Sequence, residues 1–173
     1  MKTGKSTKKI RVSSKNDSVT QQRLRVFDAL NRFKAEYVLI GGVACNFHGL
    51  VRATKDLDLL IPRGNIENTS HILDALKESQ TWGLVGELDV QKVAKNPFTI
   101  IGDQPRVDLL TIAGKVRFEQ AILSAVKRQI DGVTICFADI NTLIRTKDTD
   151  RTSDLSDVEQ LKEIKKQTKN RQT

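Results

Sequence analysis

Apolar residues recur along this chain with two periods, and the period changes every ten to twenty residues. Leu24, Phe27, Leu30 and Phe33, supported by Val26 and Ala29, follow helical spacing. They predict a helix that starts around Asp17–Ser18, capped by a side-chain oxygen, and runs to about Lys34. The run 37–40 (YVLI) is β-prone and ends at Gly41-Gly42. Residues 43–48 suggest a short helix with Gly49 at its C-terminal cap. Residues 56–61 (DLDLLI) predict a second strand, stopped by Pro62, and 66–78 a helix carrying Ile72, Leu73 and Leu76 in register. The stretch 81–96 holds the single Trp, two glycines and a possible short helix near 90–94. Residues 98–101 and 106–110 predict two strands joined by a turn at 102–105. A helix follows over 118–126, then a hairpin over 128–137 turning at Asp131-Gly132, an Asp-Gly pair being a strong hairpin signal. Helices over 140–146 and 154–166 close the pattern, which contains no internal repeat and no flexible linker.

Composition adds limits. At 38% hydrophobic and 5% aromatic residues, 173 residues suit one ordinary domain with a modest core. No apolar run approaches membrane-spanning length, and the basic N-terminus lacks the apolar stretch of a secretory signal, so a cytoplasmic protein without a membrane partner is expected. Cys45 and Cys136 have no zinc spacing and are expected to be reduced, buried hydrophobes. The net charge of +8 is unevenly placed. Residues 1–16 carry six Lys/Arg and no acid, and 162–173 carry five Lys/Arg and one acid, which leaves 17–161 at net −2. The division expected is therefore a disordered basic tail over 1–16, a domain over 17–166 and a basic tail over 167–173. The tails offer phosphate contacts to RNA or simply solvation, and the slightly acidic middle argues against a basic groove in the folded part.

Three features carry chemistry together: Gly41-Gly42 after a strand, Asp56-Leu57-Asp58 in the next strand, and Asp108 within a later one. Alternate strand positions share a face, so Asp56 and Asp58 point the same way while Leu57 enters the core. Adjacent carboxylates repel, and burying them without a partner is costly. A hard divalent cation such as Mg²⁺ removes that repulsion. If the two strands are neighbours, all three carboxylates converge in the manner a two-metal phosphoryl-transfer site requires. The glycines allow close approach of a phosphate to the backbone at a helix start. Singly, a Gly-Gly pair is also a plain turn and Asp-x-Asp a solvated strand end; the order and spacing of the combination carry the reading.

The string Ile40-Gly41-Gly42, thirteen residues, then Asp56-Leu57-Asp58-Leu59 resembles the signature of the polymerase β-like nucleotidyltransferase superfamily. The fuller VLIGGVACNFHGLVRATKDLDLLI is similar to a bacterial branch related to the abortive-infection nucleotidyltransferase toxins. Asp108 in RVDLL matches the family's third carboxylate, and Lys147, Arg151, Asp154 and Asp157 fall on the branch's closing pattern, so the resemblance spans roughly 37–161. It implies an α+β fold with an α/β-type mixed sheet flanked by helices. It also implies two Mg²⁺ ions, with Mn²⁺ as a substitute, held by Asp56, Asp58 and Asp108. The implied activity is transfer of NMP from an NTP to an acceptor hydroxyl on RNA or tRNA, protein or a small molecule, with release of pyrophosphate. Relatives also act in toxin–antitoxin pairs, which implies a partner protein encoded nearby. The alternative is a catalytically silent module of this fold that binds NTP or RNA.

Around this centre, Gly41, Gly42, Arg52, Thr54, Lys147 and Arg151 are the expected nucleotide-binding residues. Arg52, Thr54 and Lys55 either touch phosphates or form an ordinary polar loop. Lys147 supplies a point cation, Arg151 a fork for phosphate, and Asp154 either orients Lys147 or acts as a base; the competing reading is a salt-bridged helical surface. His48 reads as a packing or hydrogen-bonding histidine before a proton shuttle, and Asp139 and Asp157 as helix-start or surface residues.

Overall fold

The computed structural model describes residues 18–79, 87–102 and 105–170. The tail 1–16, the Trp82 stretch, the centre of the 102–105 turn and the last three residues lie outside them. The elements are α1 (Val19–Arg32), β1 (Val38–Ile40), α2 (Gly41–Phe47), β2 (Leu57–Leu60), α3 (Ile66–Glu78), α4 (Val90–Lys95), β3 (Phe98–Ile101) and β4 (Val107–Leu110). They continue with α5 (Phe118–Ala121), β5 (Val126–Ile130), β6 (Val133–Phe137), α6 (Ile140–Thr146) and α7 (Thr152–Asn170). The fold is α+β: a six-stranded mixed sheet in the order β3-β4-β2-β1-β6-β5, with seven α-helices among the described residues.

Local chemistry explains the element ends. Ser18 caps α1 in a reciprocal box: its Oγ accepts from the Gln21 amide at 3.2 Å, and Gln21 Oε1 accepts from the Ser18 amide at 3.3 Å. Asn65 caps α3, Asp89 caps α4 and Asp139 caps α6, each accepting an otherwise orphaned amide proton. Asp131 and Gly132 both have positive φ (48° and 82°), which the tight β5–β6 hairpin turn requires.

The strands at the middle of the sheet are apolar on both faces, as strands covered on two sides must be. Leu57, Leu59 and Leu60 of β2, Val38 and Leu39 of β1, and Val107 and Leu109 of β4 are all buried. Helix α1 presents Val26, Phe27, Ala29 and Leu30 to this core and packs on α3, whose Ile72, Leu73, Ala75 and Leu76 face inward. Among these buried strand positions Asp108 is the charged exception, and Asp58 is half-buried.

Three boundaries differ from the sequence expectation. The helix expected over 118–126 is a single α-turn and a 3₁₀ turn (Ile122–Ser124), and Val126 already belongs to β5. Continuing the helix would leave its last turn unburied, since Leu123 is 87% exposed, whereas Val126 gains a ladder with Phe137. Helix α7 runs to Asn170, past the expected end at Lys166, so part of the expected tail is helical. Asp56 precedes β2 rather than lying in it.

Replacing fully buried Leu59 by Ala should cost about 2–5 kcal/mol of unfolding free energy in urea titrations, while Leu123→Ala should change it by less than about 0.5 kcal/mol. Equal effects would contradict the placement of the core.

Candidate active site

Sheet register brings the acidic residues together. Strands β2 and β4 pair in parallel with Asp58 opposite Asp108, and β1 pairs antiparallel to β2 with Ile40 opposite Asp58. The chain leaves β1 at Gly41, which is therefore beside Asp58. Gly41 has φ +67°, and a Cβ there would sit 1.9 Å from Asp58 Oδ2. A Cβ on Gly42 would meet the Thr54 side chain at 2.8 Å. Both glycines are thus required by side chains of the site itself.

The loop between α2 and β2 is fixed at both ends. Asn46 donates to the Arg52 carbonyl (2.9 Å) and accepts from its amide (3.1 Å), and Arg23 donates to the Thr54 carbonyl at 2.6 Å. A cleft of about 430 Å³ opens over this junction, and Gly41, Gly42, Arg52, Thr54, Asp56, Asp58, Asp108, Lys147, Arg151 and Asp154 all line it. The three carboxylates, the two glycines and the other expected nucleotide-binding residues therefore share one cavity, and Lys55 does not line it.

Their partners divide them into groups. Arg106 forks onto Asp108, Nε to Oδ1 at 2.8 Å and Nη2 to Oδ2 at 2.7 Å, and its Nε lies 3.9 Å from Asp56. Lys147 is buried between Asp154 (3.0 Å) and Asp157 (2.6 Å). Asp157 also pairs with Arg52, and Thr149 donates to Asp154 at 2.6 Å. Lys147 and Arg52 thus hold α7 against the cleft wall. Burial opposes charge on Lys147, yet the hydrogen bonds it donates to Asp157 and Asp154 lift its pKa above the ordinary value. Burial likewise works against the Asp154 carboxylate, but Thr149 and Lys147 hold its pKa below normal. Asp157, expected at the surface, is buried at the centre of this network. Arg151 is exposed at the rim.

Asp58 alone of the three carboxylates has no hydrogen-bond or ion-pair partner among the described residues. Burial, then Asp108 and Asp56, push its carboxyl up to about 6. Such a group fits a cation that arrives with a ligand. As the side chains stand, no three or more His, Cys, Asp or Glu residues among the described ones are grouped as a metal cage, and both oxygens of Asp108 accept from Arg106. The donor chemistry still suits a hard divalent ion: carboxylate oxygens on one cleft face, one of them unpartnered.

Outside this centre, His48 Nε2 donates to the Ala138 carbonyl at 2.8 Å and stacks edge-on against Phe47, which makes it a structural histidine. Cys45 and Cys136 are buried free thiols, and burial pushes both upward, Cys45 to about 11. A groove of about 560 Å³ between α6 and α7 is lined by Arg145, Lys162, Lys165, Lys166 and Lys169 with no carboxylate. It shares Arg145 and Lys162 with a neighbouring hollow, which in turn shares Lys147 and Thr149 with the cleft. The folded part therefore does carry a basic groove; its lysines recur at 162, 165, 166 and 169 on one face of α7, and of these only Lys169 lies in the stretch expected as a tail.

No protein-family model matches the chain, and no curated protein matches it. Among the described residues no helix is long and apolar enough to cross a membrane.

Sequence alone missed Arg106 and Thr149, and it set Asp157 on the closing pattern while reading it as a helix-start or surface residue. Arg106 stands two residues before Asp108, on the same strand face, and Asp157 stands three after Asp154, on the same helix face. Those spacings were the available signals.

The raised Asp58 carboxyl has a sign-definite consequence. With its folded value above its unfolded one, deprotonation penalises the folded state as pH rises from about 4 through about 6, and the full penalty is present at pH 7. Asp58→Asn should therefore stabilise the protein by about 1–3 kcal/mol at pH 7, and the gain should shrink as pH falls to about 4. Urea titrations at both pH values check this; destabilisation at pH 7 would contradict the unpartnered carboxylate.

Proposed function

We propose that the chain is a Mg²⁺-dependent nucleotidyltransferase that moves an NMP unit from an NTP to an acceptor hydroxyl, on a polymerase β-like fold. The observation that carries the reading is the in-register pair Asp58 and Asp108 on neighbouring strands, with Asp56 on the same cleft and Asp58 left without a partner. Asp56, Asp58 and Asp108 would hold the ions. When bound, such ions screen triphosphate charge and polarise the attacking hydroxyl. Gly41 and Gly42 leave room for the Asp58 and Thr54 side chains at the cleft, and Arg151 offers a forked donor at its rim. Positioning and charge neutralisation are the work such a site performs.

A catalytically silent module that binds NTP is the second reading. It is favoured by the Arg106 fork on Asp108, and by Lys147 and Arg52, whose charges are engaged by Asp154 and Asp157. Transfer of α-³²P label from each NTP with Mg²⁺, into RNA, protein and small-molecule fractions, separates the two. The expected result is label in one fraction, lost to background in Asp58→Asn, with the far-UV circular dichroism of that variant unchanged. NTP binding without any transfer would favour the silent module, and a fully active Asp58→Asn would overturn the site.

The basic α6–α7 groove, separated from the cleft by one hollow that shares residues with both, fits a polyanionic acceptor, which favours RNA among the acceptor classes. The double variant Lys162→Glu/Lys165→Glu should weaken binding of a fluorescent RNA oligonucleotide and lower the slope of log K against log salt by about one to two. An unchanged slope would leave binding to other surfaces.

A further inference from the structure

We propose that Arg106 competes with the divalent cation for Asp108, so that this one guanidinium sets the metal affinity of the cleft. The inference rests on the reading of Asp56, Asp58 and Asp108 as cation ligands, and it concerns what holds the cation out.

Asp108 offers its oxygens in only one direction. Its side chain is 4% exposed, while that of Arg106 is 38% exposed. The fork therefore covers Asp108 from the cleft side, the side from which an ion must come. Both carboxylate oxygens are taken, at 2.8 and 2.7 Å. A forked, charge-assisted pair of this kind is among the stronger hydrogen-bonded contacts a protein makes. The same guanidinium lies 3.9 Å from Asp56, so it offsets two of the three carboxylates at once. A cation entering the cleft meets a positive charge already in place.

The arrangement is built to move at one end only. The Arg106 carbonyl accepts the Leu57 amide at 2.9 Å, which pins its backbone to β2. Its side chain, 38% exposed, extends from that fixed point into the cleft. Asp108, in contrast, is held within β4 between Val107 and Leu109, both buried. Exchange of guanidinium for metal thus needs rotation of one side chain and no rearrangement of the sheet. Asp58, which lines the same cleft, has no guanidinium against its oxygens.

Mn²⁺ titrations of the full chain, read by the EPR signal of free Mn²⁺, test this without any need for turnover. Arg106→Ala should bind Mn²⁺ about tenfold more tightly than the wild type or better, given the strength of a charged fork. Arg106→Lys, which keeps the charge but cannot fork, should tighten binding by less, and it carries the test if the alanine variant does not fold. In an Asp108→Asn background the Arg106→Ala gain should fall below about twofold, because the competition runs through that carboxylate. Wild type and Arg106→Ala binding Mn²⁺ equally would overturn the inference and leave the cation site standing. A gain of the same size in the Asp108→Asn background would also overturn it, since removal of charge alone would then explain the effect. No Mn²⁺ bound by folded wild type, Arg106→Ala and Arg106→Lys alike would remove the cation site and the inference together.

Discussion

Two carboxylates held side by side by backbone pairing are the constraint around which this protein is arranged. The β2–β4 register leaves Asp58 and Asp108 no freedom to separate, and Asp56 adds a third negative charge at the strand's edge. Folding must overcome that repulsion, and the neighbouring residues answer it in different ways. Arg106 neutralises Asp108 directly. Gly41 gives way to the Asp58 side chain, since any larger residue would overlap it. Asp58 itself is left uncompensated, its carboxyl pushed toward the neutral form. A fold that retains an unanswered charge at its centre accepts instability where a ligand supplies the missing partner.

A second charged cluster has the opposite character. Lys147, Arg52, Asp154, Asp157 and Thr149 satisfy one another in a buried network that ties α7 and the α2–β2 loop to the same cleft. Removing one member would strand the others, so this network fixes the wall of the cavity whatever else it does. The two clusters explain the cleft's balance: one side is rigid and internally paired, the other is strained and open to exchange. Helix α7 carries both functions of the C-terminal region. Its inner face supplies Asp154, Asp157 and Leu161 to the body, and another face supplies the lysines of the basic groove.

Much of this was legible in the residues. Helical and alternating periods placed α1, α3, α6 and the β5–β6 hairpin to within a residue or two, because each has a strong cap or turn: Ser18, Asn65, Asp139, Asp131-Gly132. The two glycines and three aspartates stood out by order and spacing, and all of them line one cleft. What sequence could not supply was adjacency. That β4 lies beside β2, although β3 intervenes in the chain, follows from the sheet order and puts Asp108 opposite Asp58. Asp157 reads from sequence as a helix-start or surface residue; only packing shows which face of α7 turns inward. Lys169 falls in the expected tail, and the expected helix over 154–166 did not show that Lys162, Lys165 and Lys166 share its face in one groove, because net charge per segment carries no geometry.

The measurement closest to the central claim is anomalous diffraction from crystals grown with Mn²⁺ and a non-hydrolysable NTP. The account predicts a manganese peak within coordination distance of Asp56, Asp58 and Asp108, with the Arg106 guanidinium turned away from Asp108. Nucleotide and manganese bound elsewhere, with the Arg106–Asp108 fork unbroken and no peak between the three carboxylates, would contradict it.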